Sequence, residues 1–237
     1  MSEALVLLPG FLADGRVYAD VIAGLSRKRA VMVAPLVGTS VAQMAEQVLA
    51  YAPPRFALGG HDLGAAVASE ILSRAPERVS RIALICANAQ AEMPQVAAAR
   101  EPRMVKVRAG RMGDVLFEDM PTGALAEGPL RNQIRDYWID MALEAGPETY
   151  LNHCRAVQRR PDFQGTLRRA KIPALVIGGR YDTLCPLRRQ EFIAELMPRA
   201  ELHVIENAGH LPMLEAPETV SRVIGDWLDV SAPLVLT

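Results

Sequence analysis

Six short apolar runs punctuate the chain: "ALVLLP" at 4–9, "AVMVAP" at 30–35, "RFALGG" at 55–60, "RIALICA" at 81–87, "PALVIGG" at 173–179 and "ELHVIE" at 201–206. Runs this short, rich in Val, Ile and Leu, suit strands buried on both faces. Between them lie longer stretches with apolar residues near a period of 3.6, at 17–27, 40–52, 64–75, 188–197 and 217–228, which predict helices. Strand and helix in alternation imply right-handed crossovers and the α/β class, with a mostly parallel central sheet flanked by helices. The rhythm breaks once. From about 88 to 170 no strand pattern is found, only helix-like pieces at 93–110, 128–146 and 147–160 separated by Pro and Gly. An insertion of that size between two strands of one sheet is expected to form a helical cap over their carboxyl ends, where open α/β sheets bind ligands. The expectation is a single domain, 1–237, with its core at 1–87 and 171–237 and the cap at about 88–170.

Half of the 237 residues are apolar, enough for one sizeable core. Lys and Arg number 26 against 27 Asp and Glu, a balance that recommends neither nucleic acid nor an anionic membrane as partner. A small-molecule substrate is the default, and a homodimer stays open. Cys86, Cys154 and Cys185 are far apart, odd in number and outside any CxxC or His-rich spacing, so free thiols in a reducing compartment are expected and a metal site is not. No basic leader followed by a long apolar stretch opens the chain, and nothing approaches the ~20 apolar residues of a membrane span. These features predict a cytoplasmic protein without membrane attachment.

Chemistry concentrates first in "LGGHDLGAA", residues 58–66, where the third apolar run meets a helical pattern. A residue on a sharp strand-to-helix turn has its side chain aimed into the cleft, and flanking glycines make room for that turn. The helix start adds free N–H groups and a positive end that favour negative charge at Asp62. From "LLPGF" near the start to "WL" near the end, the chain resembles the α/β-hydrolase fold family. The family's G-x-S-x-G appears as G-H-D-L-G, with Asp62 at the nucleophile position. Its later acid and histidine loops match "LVIGGRYDTLCP", carrying Asp182, and "IENAGHLPMLEAPE", carrying His210. The resemblance implies a triad of Asp62, His210 and Asp182, no cofactor, and an oxyanion pocket made by the backbone N–H groups of Leu63 and Phe11. The family's usual His-Gly before that second donor is Pro9-Gly10 here.

An aspartate changes the chemistry. A carboxylate attacking an ester carbonyl forms a mixed anhydride, uphill of the ester, whereas attack on sp³ carbon gives an alkyl-enzyme ester that water activated by His210 can hydrolyse. The aspartate is similar in this respect to that of epoxide hydrolases and haloalkane dehalogenases. The dehalogenases place a tryptophan after it, and Leu63 stands there instead. Epoxide hydrolases polarise the ring oxygen with cap tyrosines, for which Tyr137 and Tyr150 are the candidates, with Trp138 and His153 nearby. An epoxide is therefore the expected substrate. Two alternatives stand beside it. The short cap and the "RRPDF" tract resemble bacterial carboxylesterase-like members, so Asp62 can be a replaced serine on an esterase scaffold; or the fold can serve as a ligand-binding protein without turnover.

Plainer roles compete at several positions. Asp62 fits a turn or N-cap aspartate, Asp182 an Asx turn, and His210 a satisfied loop histidine. His203 reads as a hydrogen-bonded sheet histidine, His61 as a buttress of the turn, and Cys185 and the methionines as packing. Arg100, Arg103, Lys106, Arg108 and Arg111 form a basic stripe, taken as a solvated helix face.

Overall fold

Each of the six apolar runs forms a strand in the computed structural model, which describes residues 3–230; the ends of the expected domain, 1–2 and 231–237, lie outside the described residues. The strands are β1 (Leu5–Leu8), β2 (Val31–Val33), β3 (Phe56–His61), β4 (Val79–Ile85), β5 (Ala174–Gly179) and β6 (Ala200–Ile205). They make one sheet in the order β2-β1-β3-β4-β5-β6, every neighbouring pair parallel. Side chains alternate between its faces. Leu5, Leu7, Ala83, Ile85, Leu175 and Ile177 enter one apolar cluster, while Val6, Leu8, Ile82, Leu84, Ala174 and Val176 enter the other. Continuous apolar runs are therefore what these strands need, since both faces are covered. The edge strands β2 and β6 are only partly buried. His203 sits on that second edge, its side chain 43% exposed and 3.8 Å from Glu201, so it is a surface residue with no part in a buried network.

Helices α1 (Ala19–Leu25), α2 (Val41–Tyr51) and α3 (Leu63–Arg74) follow the first three strands. The Ser40 hydroxyl starts α2 by accepting the Gln43 N–H at 3.2 Å. Between β4 and β5 the chain runs through α4 (Pro94–Arg108), α5 (Met112–Asp119), α6 (Arg131–Gln158) and α7 (Gln164–Arg169). Then come α8 (Leu187–Leu196), α9 (Pro212–Glu215) and α10 (Pro217–Asp229). Helices α1 and α10 cover one face of the sheet, and α2, α3 and α8 the other.

The inserted helices form the cap. Gly146, at φ 82°, breaks α6 just before Pro147, where the sequence divides two helical pieces. Two cap helices escape the sequence pattern, because α5 and α7 span only eight and six residues and bury too few apolar side chains to show a period. The cap is not a loose lid. Met104, Trp138 and Tyr150 join one apolar cluster of the sheet, Ala156, Phe163 and Leu167 the other. The Phe163 N–H also donates to the Ala89 carbonyl at 2.8 Å. No helix among the described residues is long and apolar enough to cross a membrane.

Candidate active site

β3 ends at His61, and Asp62 follows with φ 47° and ψ −110°, a backbone conformation that a residue with a side chain adopts only under constraint. Two features impose it. The Asp62 N–H donates to the Ile85 carbonyl at 3.1 Å, tying the turn to β4. The flanking glycines let backbones close up: a Cβ on Gly60 would overlap the Gly64 carbonyl, and one on Gly64 would overlap the carbonyls of Leu8 and Pro9. Asp62 makes no side-chain cap bond to α3, unlike a turn aspartate. Its Oδ2 accepts the Phe11 N–H at 3.2 Å, and the neighbouring Leu63 N–H favours the carboxylate's charge. Burial raises the carboxyl's pKa, but His210, His61 and the two backbone donors outweigh it and hold the pKa below the ordinary value.

His210 lies in the loop between β6 and α9, with Nδ1 2.8 Å from Asp182 Oδ2. Asp182 follows β5, and its Oδ1 accepts the N–H groups of Leu184 at 2.9 Å and Cys185 at 2.8 Å. The Asx turn thus aims the second oxygen at the imidazole. Burial works against a charged imidazole, yet Asp182 and then Asp62 more than compensate, lifting His210 to about 9. Asp182 is held below its usual range by the same partner, against its own burial. The His210 loop is fixed from both sides. Glu215 accepts the N–H groups of Gly209 and Leu211, each at 2.9 Å, and of Ala126 in the cap at 2.7 Å. The His210 N–H donates to the Ala124 carbonyl at 2.8 Å. His61 Nε2 donates to the His210 carbonyl at 2.7 Å, and burial with the nearby charge of His210 lowers the His61 pKa to about 4, so this ring is a neutral buttress. No ion pair joins His210 to Asp62 among the described residues, and both side chains face one cavity.

The cap holds the loop that carries the Phe11 donor. Trp138 Nε1 donates to the Phe11 carbonyl at 3.2 Å. The Leu12 N–H donates to His153 Nδ1 at 3.2 Å, so that ring carries its proton on Nε2 and gives it to the Leu36 carbonyl at 3.1 Å. The cap tyrosines stand elsewhere than expected. Tyr137 is 39% exposed and does not line the cavity, because α6 turns the adjacent Trp138 inward. Tyr150 is buried and its hydroxyl donates to Asp119 Oδ2 at 2.7 Å. Its ring instead meets Phe11 edge-on at 5.6 Å.

The cavity holds about 290 Å³, with Asp62, His210 and Phe11 on its floor and cap residues above. Here the solvated-stripe expectation is corrected. Arg100 and Arg103 line the cavity, while Lys106 pairs with Glu118 and Arg111 with Asp114 outside it. Arg100 forks onto Glu92 through Nε and Nη2, both at 2.9 Å, with its guanidinium 5.9 Å from the Phe11 ring centre. Arg160 and Arg189 complete the basic lining. His61, Cys86 and His210 bring ligand-type atoms within 4.8 Å of one another. The group suits a metal poorly, since His210 Nδ1 is engaged with Asp182 and burial keeps the Cys86 thiol protonated. Cys185 Sγ donates to the Ala87 carbonyl at 2.8 Å, a packing role.

A profile of the alpha/beta hydrolase family matches residues 5–223. A pimeloyl-acyl-carrier-protein methyl ester esterase of Aeromonas hydrophila subsp. hydrophila is 27% identical over 236 residues, covering 93% of each chain. A thermophilic esterase from Thermogutta terrifontis, solved with malate bound, superposes with a TM-score of 0.86 at 24% identity, over 96% of this chain and 90% of that one. The enol-lactonase from Burkholderia xenovorans LB400 gives 0.84 at 22% identity, over 96% and 92%.

Proposed function

The chain belongs to the alpha/beta hydrolase family, and on that premise we propose that it hydrolyses small molecules through a covalent alkyl ester on Asp62, with an epoxide as the electrophile. One observation carries the reading: the Phe11 N–H, one of the two expected oxyanion donors, is given to the carboxylate of Asp62 itself, and the Leu63 N–H favours the same charge. In acyl transfer by a serine, such donors must receive the substrate's oxygen. Here an oxygen of the enzyme takes that place. It is the oxygen on which charge develops when water attacks Asp62 Cγ in an alkyl ester.

The cycle balances as follows. The ionised Asp62 attacks an sp³ carbon of the epoxide, the carbon–oxygen bond breaks, and its electron pair goes to the ring oxygen. In-line displacement turns that oxygen away from Asp62 and toward the cap, where Arg100 stabilises the alkoxide until it takes a proton from solvent. A guanidinium supplies charge and hydrogen bonds there, since it does not give up its own proton. Alkylation removes the Asp62 charge, one of the groups raising His210, so the imidazole releases its proton to solvent more readily, returning the one the alkoxide took. Neutral Nε2 then deprotonates the water attacking Cγ. The tetrahedral intermediate, its oxyanion held by Phe11 and Leu63, collapses; the departing alkoxide takes the carboxyl proton, leaving Asp62 ionised and His210 protonated. Halide displacement has less support, because the side chain of Leu63 donates nothing and the Trp138 N–H is given to Phe11.

The His210→Gln variant tests this. It should open the epoxide and then stall, so intact-protein mass spectrometry shows the enzyme heavier by one substrate, with the adduct on the peptide bearing Asp62. No adduct in this variant, under conditions where the wild type forms diol, contradicts the proposal. The esterase names of the relatives favour a second reading, in which Asp62 stands on an ester-hydrolysing scaffold. Asp62→Ser would leave both N–H groups for a substrate oxygen, and a gain in aryl-ester hydrolysis would support it.

A further inference from the structure

Four arginines line the cavity, and they are not equally neutralised. Arg103 pairs with Asp119 at 2.7 Å and also reaches Glu118, at 3.6 Å. Arg100 takes both oxygens of Glu92. Arg160 has only what remains: its Nε donates to the Gln90 carbonyl at 2.9 Å, and its Nη1 lies 3.7 Å from the Glu92 oxygen that Arg100 already holds at 2.9 Å. Arg189 has no carboxylate within 4.0 Å among the described residues. Both surplus cations line the cavity together with Cys185.

Burial makes this surplus consequential. The Arg160 side chain is 12% exposed and that of Glu92 only 3%, so water screens them weakly. Burial pulls the Arg160 pKa below the ordinary guanidinium value, even with Glu92 and Asp62 working the other way. Asp62 is thus part of the counter-charge of Arg160 and Arg100 while it is ionised. Once Asp62 becomes an ester that negative charge is gone, and a buried cation is left with half a partner.

Resting on the alkyl-ester reading above, we propose that the substrate is itself an anion, a small epoxy-carboxylate whose carboxylate is held by Arg160 and Arg189. The guanidinium fork fits a carboxylate through paired hydrogen bonds. A permanent charge on the substrate replaces the counter-charge that is lost when Asp62 is alkylated. The same two cations screen the repulsion between the carboxylate nucleophile and an anionic substrate. Arg100 remains for the ring oxygen, so leaving atom and anchor have separate partners.

The test compares two molecules of one shape, 3-phenylglycidate and the neutral 3-phenylglycidamide. The wild type should favour the carboxylate in kcat/KM by about tenfold or more, mostly through KM, as expected for a charge-assisted bidentate contact. That preference should fall to near unity in Arg160→Gln and Arg189→Gln and survive in part in Arg160→Lys. Equal use of both molecules by the wild type, or a preference that neither Gln variant reduces, overturns the inference. Binding of the unreactive 3-phenylpropanoate and its amide to the wild type, read by calorimetry, separates this from the chemistry. If no adduct ever forms on Asp62 yet the acid binds better than the amide and Arg160→Gln abolishes the difference, the anion site stands and the alkyl-ester route falls. Failure of the acid to outbind the amide removes the anion site whatever Asp62 does.

Discussion

The floor and the roof of the cavity are built by opposite means. On the floor, chemistry is set by backbone: Asp62 is held in strained geometry by contacts that a single Cβ on Gly60 or Gly64 would break, and its carboxylate accepts the Phe11 N–H. In the roof, the glycines at 110, 113, 123, 128 and 146 would have nothing within 4 Å of an added Cβ. What the roof supplies is long side chains, chiefly guanidinium groups whose charge is only partly spent. The difference teaches where reaction and selection reside. Close-packed backbone gives the rigid placement that bond-making demands, and cap side chains that reach the cavity without entering the shared core can be exchanged with little disturbance to it.

Several substitutions would break or sharpen this contrast. The largest effect is expected for Asp62→Asn, which removes the proposed nucleophile and should lower kcat on epoxides by about a thousandfold or more; steady-state assays of diol formation measure it. Next is Gly64→Ala, which must push the elbow off the Leu8 and Pro9 carbonyls and should lose about 3 kcal/mol or more of stability, whereas Gly123→Ala in the cap should change it by less than about 0.5 kcal/mol. Urea unfolding of the pair reads the difference, and equal midpoints would erase the distinction between the two regions. Tyr150→Phe removes the hydroxyl bonded to Asp119 and should lose about 1 kcal/mol of stability. Its kcat should move by less than about threefold, since that hydroxyl faces Asp119; a fall of about a hundredfold would return the tyrosine to the proton-donor role.

The pH dependence of stability reads the charges on the floor. His210 is raised from 6.5 to about 9, so its stabilising contribution is complete below 6.5 and lost as pH rises through about 9. Asp62 and Asp182 are lowered from 3.8, so theirs is complete above that value and lost as pH falls through the depressed pKa values. Unfolding midpoints across pH should therefore decline near 9 in the wild type, and that step should be missing from His210→Gln.

The floor was largely legible in the sequence and the roof was not. Strands buried on both faces write continuous apolar runs, and the glycines around Asp62 are fixed by backbone contact, so both leave marks at set spacings. Phe11, Leu63, Asp182 and His210 were expected from the family resemblance, not from these marks. Cap side chains leave weaker ones. Tyr137 and Tyr150 looked suited to polarise an oxygen, but only the rotation of α6 decides that one is exposed and the other bonded to Asp119. Arg100 and Arg103 did carry a signal: with the buried Met104 and Val107 they fall at helical spacing on one face of α4. A basic residue on an apolar face is not a solvated stripe. Arg160 carried no such pattern, because its partners Gln90 and Glu92 come from a segment distant in the chain, and nothing in the sequence around Arg189 marks it as facing the cavity.

The most direct measurement of the central claim is a single turnover of an epoxide in oxygen-18-labelled water, followed by mass spectrometry of the peptide bearing Asp62 and of the diol. Water attacking Cγ of an alkyl ester leaves heavy oxygen in the aspartate while the diol receives ordinary oxygen from the enzyme. Label in the diol and none in Asp62 would mean that water attacks the substrate directly and that the carboxylate never bonds to carbon.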